Sequence, residues 1–374
     1  MANTLTDDIG MLQFNLDPTE RKDYQDQKIV VNKKMSDILK RAKENAKPKT
    51  CFICHKPCSS FCNSHSVPQF CLKQIAKDGK LYPSAWNSGL PIYDKELGVK
   101  KAGTFQIICN DCDSKVFQEY ETPEIYSSPP SGKVLAQICL KNYLQMISKR
   151  KQEIELYKLE AEQFPTHFLS ALHNIEIAEL DLHEYELGFE RAYKASNRNH
   201  TDWYYLCYFQ KLDYVVPFSF QGQIVLVCGL DGEVINDIYN MSPNYRLEEI
   251  HIAVFPLKIG SVVMIITDSR RARYRKFYRQ LKRLPLEDQL AVINYIIFSY
   301  SENVFISKDL DGKVLTDSAF QEMCYTTNIA VASTPINGQA LDAALNSFDL
   351  SKRHTVPNLL SKKYALNGDG QLSP

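Results

Sequence analysis

The chain has 374 residues, 44 Lys+Arg against 44 Asp+Glu, and 44% hydrophobic residues, enough apolar material for one or more buried cores and too much for wholesale disorder. Its longest apolar runs, such as 224–228 and 261–266, fall far short of the ~20 residues that span a bilayer, and its first residues lack a leader's basic and apolar stretches, so a cytoplasmic chain away from membranes is expected. Zero net charge means that any nucleic-acid surface has to be a local patch balanced by acid elsewhere.

In chain order, residues 1–18 carry no clear period and read as a loose arm. The lysine-rich stretch from Glu20 to Ala46 places Ile29, Val30, Met35, Ile38 and Leu39 at near-helical spacing and stops at Lys47-Pro48, which predicts one or two helices and an N-terminal unit over 1–48. Residues 49–128 are rich in Cys, His, Ser, Asn and Pro and end at the breaker Ser127-Ser128-Pro129-Pro130. A helical connector is expected over 129–200, with Val134, Ile138 and Lys141 leading one helix and Pro165 separating it from a second. The second helix carries the stripe Phe168, Leu172, Ile175, Ala178, Leu182, Tyr185 and Phe189, although 175–187 also alternates in places as a strand does. From residue 201 the pattern changes to short β-branched and aromatic strands at 203–209, 215–220, 223–228, 250–255 and 261–267, then helices at 270–284 and 286–299, and a loose tail after Tyr364. The expected class is α+β: a zinc-supported unit, a helical connector and a mixed α+β domain over 201–374 that recognises substrate, a partner or an activating signal.

Seven of the eleven cysteines fall within residues 51–112. Paired knuckles in a large chain point to metal rather than to a disulfide framework. Cys51-Phe-Ile-Cys54 and Cys109-Asn-Asp-Cys112 can each aim two thiolates at one tetrahedral Zn²⁺ and close a structural site. His55, Cys58 or Cys62 could replace one of the four. Cys207 and Cys228, in apolar surroundings, read as core residues.

The 54 residues between the knuckles leave room for a functional element. They contain Ser64-His65-Ser66-Val67-Pro68-Gln69-Phe70, and the second knuckle continues as Cys109-Asn-Asp-Cys112-Asp113-Ser-Lys-Val-Phe117-Gln-Glu-Tyr120-Glu121. Across about 75 residues the sequence resembles the HNH (ββα-metal, His-Me finger) endonucleases, most closely a zinc-bearing bacterial variety with Ser-His-x-x-Pro-x-Phe upstream and Cys-x-x-Cys-Asp/Glu, Phe and Tyr/Trp-Glu downstream. The resemblance implies a hairpin and a helix around one divalent metal, with His65 as general base and Asp113 and Glu121 as acids holding Mg²⁺ or Mn²⁺. Residues 113, 117 and 121 are spaced by four, so a helix would put both carboxylates on one face, toward His65. The chain departs from the family pattern at Ser64, where an acid is common, at Phe117, where His or Asn is common, and at the central Asn, for which Asn87 is the nearest candidate.

Arg270, Arg271, Arg273, Arg275, Lys276, Arg279, Lys282 and Arg283 put eight cations in fourteen residues, interleaved with Tyr274, Phe277, Tyr278 and Leu281 at inward helical spacing. They are candidates for phosphate contact, or else a solvated face. Residues 153–190 hold ten Asp/Glu and the single cation Lys158, a block able to pair with the basic one within a chain or between subunits, or else a separate solvated surface. The expected function is a metal-dependent endonuclease of DNA, duplex rather than RNA, suited by analogy to bacterial defence, with homo-oligomer or activating contacts through 129–374. The rival is a non-catalytic nucleic-acid or protein adaptor that keeps zinc for folding.

Overall fold

The computed structural model describes residues 28–83, 96–240, 242, 244–324, 326 and 340–366; the expected N-terminal arm and Asn87 lie outside them. In chain order the N-terminal half provides α1 (Lys28–Asn45), β1 (Ser64–His65), α2 (Gln69–Ile75), β2 (Lys80–Pro83), β3 (Leu97–Gly98), β4 (Thr104–Phe105) and α3 (Asn110–Phe117). Then come the long helices α4 (Gly132–Gln163) and α5 (Phe168–Ser196). The C-terminal part gives β5 (Tyr204–Leu212), β6 (Phe218–Ile224), β7 (Ile250–Pro256), β8 (Ser261–Asp268), α6 (Arg275–Leu281), α7 (Leu286–Tyr300), β9 (Val304–Ile306), α8 (Gly312–Leu315), α9 (Ser318–Cys324) and α10 (Ala340–Ser347). The class is mixed α+β, and among the described residues no helix is long and apolar enough to cross a membrane.

A seven-stranded antiparallel sheet, in the order β3-β2-β9-β6-β7-β8-β5, organises the chain. Its inner strands β7 and β8 are buried at every position, because helices cover both faces. The two-residue alternation of a strand sorts their side chains accordingly. Ala253, Phe255, Val262, Met264 and Ile266 join one core with α4 and the cysteine-rich unit, whereas Ile252, Val254, Val263 and Ile265 join a second core with α7. The two strands expected at 215–220 and 223–228 are one, β6, running through Gln221 and Gly222 without a turn. The residues expected to open a helix at 270 form a turn after β8, and the helix starts at Arg275.

Helices α4 and α5 form an antiparallel hairpin, broken where Pro165 opens a short 3₁₀ turn. The helical reading of 175–187 holds, and the alternative strand does not form. The axes approach so closely that a Cβ on Gly188 would lie 2.3 Å from the Tyr143 ring. Contacts of α5 with the main core begin at Leu182, so Phe168 and Leu172, expected to face inward, are exposed near the hairpin tip.

The sheet also takes strands from the cysteine-rich segment. β2 pairs with β9, matching Tyr82 to Ile306, and β3 adds the outer edge. Tyr120, just beyond α3, donates to Gln221 of β6 at 2.9 Å, and Gln221 donates to Asn142 of α4 at 2.9 Å. A buried polar network therefore fixes the end of α3 against the sheet. Just beyond Tyr364 the Leu366 N–H donates to the Val215 carbonyl, and Leu366 is buried.

Candidate active site and zinc centre

Cys51, Cys54, Cys109 and Cys112 converge with all four sulfurs within 4.8 Å of one another. The first knuckle turns at His55, whose φ of 57° lies in the left-handed region, and the second opens α3. Cys54 Sγ and Cys109 Sγ are 3.9 Å apart, close to the ~3.8 Å edge of a tetrahedron with Zn–S distances of about 2.3 Å. Burial raises the Cys51 thiol, but backbone N–H groups of Cys54, Cys109 and Ile53 bring it down to about 7. Burial and the neighbouring thiols raise Cys112. This donor set fits structural Zn²⁺. The alternative ligands are placed elsewhere: Cys58 donates to the Lys56 carbonyl, and Cys62 lies 3.4 Å from Asp113 Oδ2.

The zinc knuckles bracket the expected ribbon and helix. β1 and β4 pair antiparallel, with Ser64 opposite Phe105 and His65 opposite Thr104. Adjacent residues of a strand face opposite ways, so Ser64 and His65 leave the ribbon on different sides. The His65 Nε2 lies 3.0 Å from the Val99 carbonyl. That acceptor commits one ring nitrogen as a donor and leaves the other with a free lone pair. Burial, joined by the charge of Lys141 and opposed by the Val99 carbonyl and Asp113, lowers the His65 pKa, so the ring is neutral at neutral pH.

Asp113, in the first turn of α3, is engaged from several sides. Its Oδ1 accepts from Ser64 Oγ at 2.6 Å and from Lys141 Nζ at 2.9 Å, while Lys141 also donates to Ser64 at 2.8 Å. The Lys141 side chain is fully buried, and its ammonium lies 3.6 Å from the centroid of the Phe117 ring. Burial pushes the Asp113 carboxyl up, but Lys141, Ser64 and Cys62 together hold it below its ordinary value. Glu121 lies in the turn after α3, its backbone N–H bonded to the Phe117 carbonyl. Burial raises the Glu121 carboxyl, with Lys141 and the Gln69 backbone N–H opposing.

The expected Mg²⁺ or Mn²⁺ ligands are not gathered as a group of three. Among the described residues the four cysteines are the one metal-ligating cluster; His65, Asp113 and Glu121 do not form another. The cation between Ser64 and Asp113 is the Lys141 ammonium, and Phe117, where the resembled pattern carries His or Asn, presents an aromatic face to it. Lys141 lies on the helix expected from its spacing, but no local pattern names its partners. The available signal was a lone cation at an inward position of the otherwise buried run 134–144, which demands a compensating charge.

The basic segment divides in two. Arg270 pairs with Asp268, Arg271 with Glu249, Arg273 with Glu248, and Lys276 with Asp231 and Glu233. Arg275, Arg279, Lys282 and Arg283 are exposed. The acidic block is largely paired within the hairpin and its surroundings, as in Arg150 with Glu153 and Asp181, and Arg246 with Glu184. No protein-family model matches the chain, and neither a curated protein nor a solved structure matches it.

Proposed function

We propose that the chain is an HNH-type endonuclease that hydrolyses phosphodiester bonds of DNA, with His65 as the general base. The observation that supports this best is the half-buried His65, one ring nitrogen held by the Val99 carbonyl, on a ribbon joined to α3 by two knuckles of one four-cysteine site. In this reading the free imidazole nitrogen takes a proton from water, the oxygen attacks phosphorus, and the P–O bond to the leaving oxygen breaks, that oxygen taking the electron pair and a proton from solvent to leave as a hydroxyl. Asp113 and Lys141 act on the reaction by fixing Ser64 and the ribbon that presents His65.

A second reading has its own support. The fully buried Lys141 already satisfies Asp113, which suits a zinc-stapled adaptor with no catalytic duty for that acid. Purified full-length protein assayed on plasmid and linear DNA, with Mg²⁺, with Mn²⁺ and with neither, separates the two. The nuclease reading expects cleavage in at least one condition and a loss of about 100-fold or more in His65→Ala, with zinc content unchanged. Its acid limb should lie below the ordinary imidazole value of about 6.5, because a depressed pKa keeps the base neutral to lower pH. No cleavage in any condition supports the adaptor, and full cleavage by His65→Ala removes His65 as the base.

A further inference from the structure

We propose that duplex DNA is held through its phosphate backbone in a lysine-lined cleft between the end of α1 and the loop that anchors His65, rather than by the basic segment 270–283. The DNA substrate rests on the nuclease reading; the surface does not depend on catalysis.

The cleft has a volume of about 630 Å³, and its lining includes Lys40, Lys43, Lys47, Lys100 and Lys101 with one carboxylate, Glu44. All five lysines are exposed. Among the described residues none of them is in an ion pair. A concave surface with a formal excess of four positive charges therefore faces solvent uncompensated, the arrangement that concentrates a polyanion. The segment 270–283 differs, since Arg270, Arg271, Arg273 and Lys276 already meet carboxylates of the same chain. Withdrawing Arg271 would leave the buried Glu249 without a cation.

Position adds a second argument. Thr104 lines the cleft and is the register partner of His65, and directly opposed residues of an antiparallel pair share a face. Lys100 and Lys101 lie on the loop whose Val99 carbonyl meets the His65 ring and whose Gly103 carbonyl accepts from the Ser66 N–H at 2.8 Å. A backbone phosphate bound by these lysines is therefore registered against the same short loop that holds the imidazole.

Fluorescence anisotropy with a labelled 20-base-pair duplex, measured for the full chain over a range of salt, tests the proposal. Combined replacement of Lys43, Lys47, Lys100 and Lys101 by Gln should weaken binding at least tenfold near 0.1 M salt. It should also flatten the log–log salt slope by about 0.9 for each lysine that meets a phosphate. Replacement of the same four by Arg should retain binding, and Glu44→Gln should tighten it. Gln at Arg275, Arg279, Lys282 and Arg283 should leave both quantities near wild type. Equal zinc content and circular dichroism exclude misfolding; if the fourfold variant fails that control, the single variants Lys43→Gln and Lys101→Gln decide, each expected to lower the slope. Unchanged affinity and slope in the cleft variants overturns the proposal, as does a wild-type chain that binds single-stranded RNA or nothing in place of the duplex. A wild-type chain that binds duplex through the cleft without cutting it ends the nuclease reading and leaves the surface standing. One that cuts with cleft-independent binding does the reverse.

Discussion

Lys141 Nζ lies 2.9 Å from Asp113 Oδ1, with the lysine side chain fully buried and the carboxylate a quarter exposed. The pair joins the central helix α4 to the first turn of α3, and Ser64 makes it a three-way junction that includes the ribbon. Its value is positional rather than simply cohesive, because desolvating an ammonium offsets much of the attraction between the two charges. The Phe117 ring beneath the ammonium recovers part of that cost.

Lys141→Met should destabilise the protein by about 3 kcal/mol in denaturant unfolding, since it leaves Asp113 facing Ser64 and Cys62 without a cation. Adding Asp113→Asn should restore part of the loss, a coupling that a double-mutant cycle measures. Additive losses would mean that the two groups do not depend on each other.

Removal of zinc tests the cysteine centre. Protein purified without added chelator should contain about one Zn²⁺ per chain by elemental analysis, and Cys109→Ala should lose it together with cooperative unfolding, because such sites contribute folding free energy. Folded, metal-free wild-type protein would remove the centre.

What the sequence made legible follows the range of the interactions. The cysteine knuckles, the Ser-His ribbon and the opening of α3 are local spacings, and the structure brings all of them together. The pairing of β2 with β9 joins residues more than two hundred positions apart, and no local period encodes it. Lys141 belongs to the same class: its helix was readable, but its partners Ser64 and Asp113 reach it only through tertiary packing. The partners of the basic block were hidden for a related reason, since Asp231, Glu248 and Glu249 lie in loops outside the acidic run at 153–190 and reach the arginines and Lys276 only through the fold.

Arg271 and Arg279 should therefore behave differently although they lie eight residues apart. Arg271 reaches Glu249, which also accepts from the buried Tyr143 hydroxyl at 2.6 Å. Arg271→Gln should cost about 3 kcal/mol in unfolding experiments by leaving that carboxylate uncompensated. Arg279→Gln, on an exposed position, should stay within about 0.5 kcal/mol of wild type. Equal effects of the two would contradict the internal pairing.

Stability should also depend on pH through His251, which is fully buried in β7 with Nδ1 3.1 Å from the Asn142 amide. Burial lowers its pKa to about 4, with Glu249 and Asp268 opposing and Arg271 assisting. Between about 6.5 and 4 the unfolded chain binds a proton that the folded chain refuses, so this contribution to stability falls as pH falls, by at most ~1.4 kcal/mol per pH unit. His251→Gln should flatten the difference curve in that window, measured by urea unfolding at several pH values. A variant whose stability falls as steeply as wild type would assign the acid sensitivity to other groups.

Gly103 offers the most direct test of the ribbon as the element that presents His65. Its φ is +63°, and a Cβ there would lie 2.5 Å from Ser66 Oγ and 2.7 Å from the Phe305 ring, so both the backbone and the space demand glycine. The same residue's carbonyl accepts the Ser66 N–H beside His65, and β4 starts immediately after it. Gly103→Ala should therefore separate the Val99–Gly103 loop from the ribbon, costing about 1–3 kcal/mol of stability for the displaced neighbours. By exposing the imidazole it should also bring the His65 titration, followed by NMR, up toward the ordinary value, because the lost burial, the largest cause of the depression, outweighs the lost Val99 hydrogen bond that opposes it. Zinc content should be retained, because the four cysteines lie outside the loop. An unshifted His65 titration in a measurably destabilised Gly103→Ala protein would show that the loop does not control the imidazole.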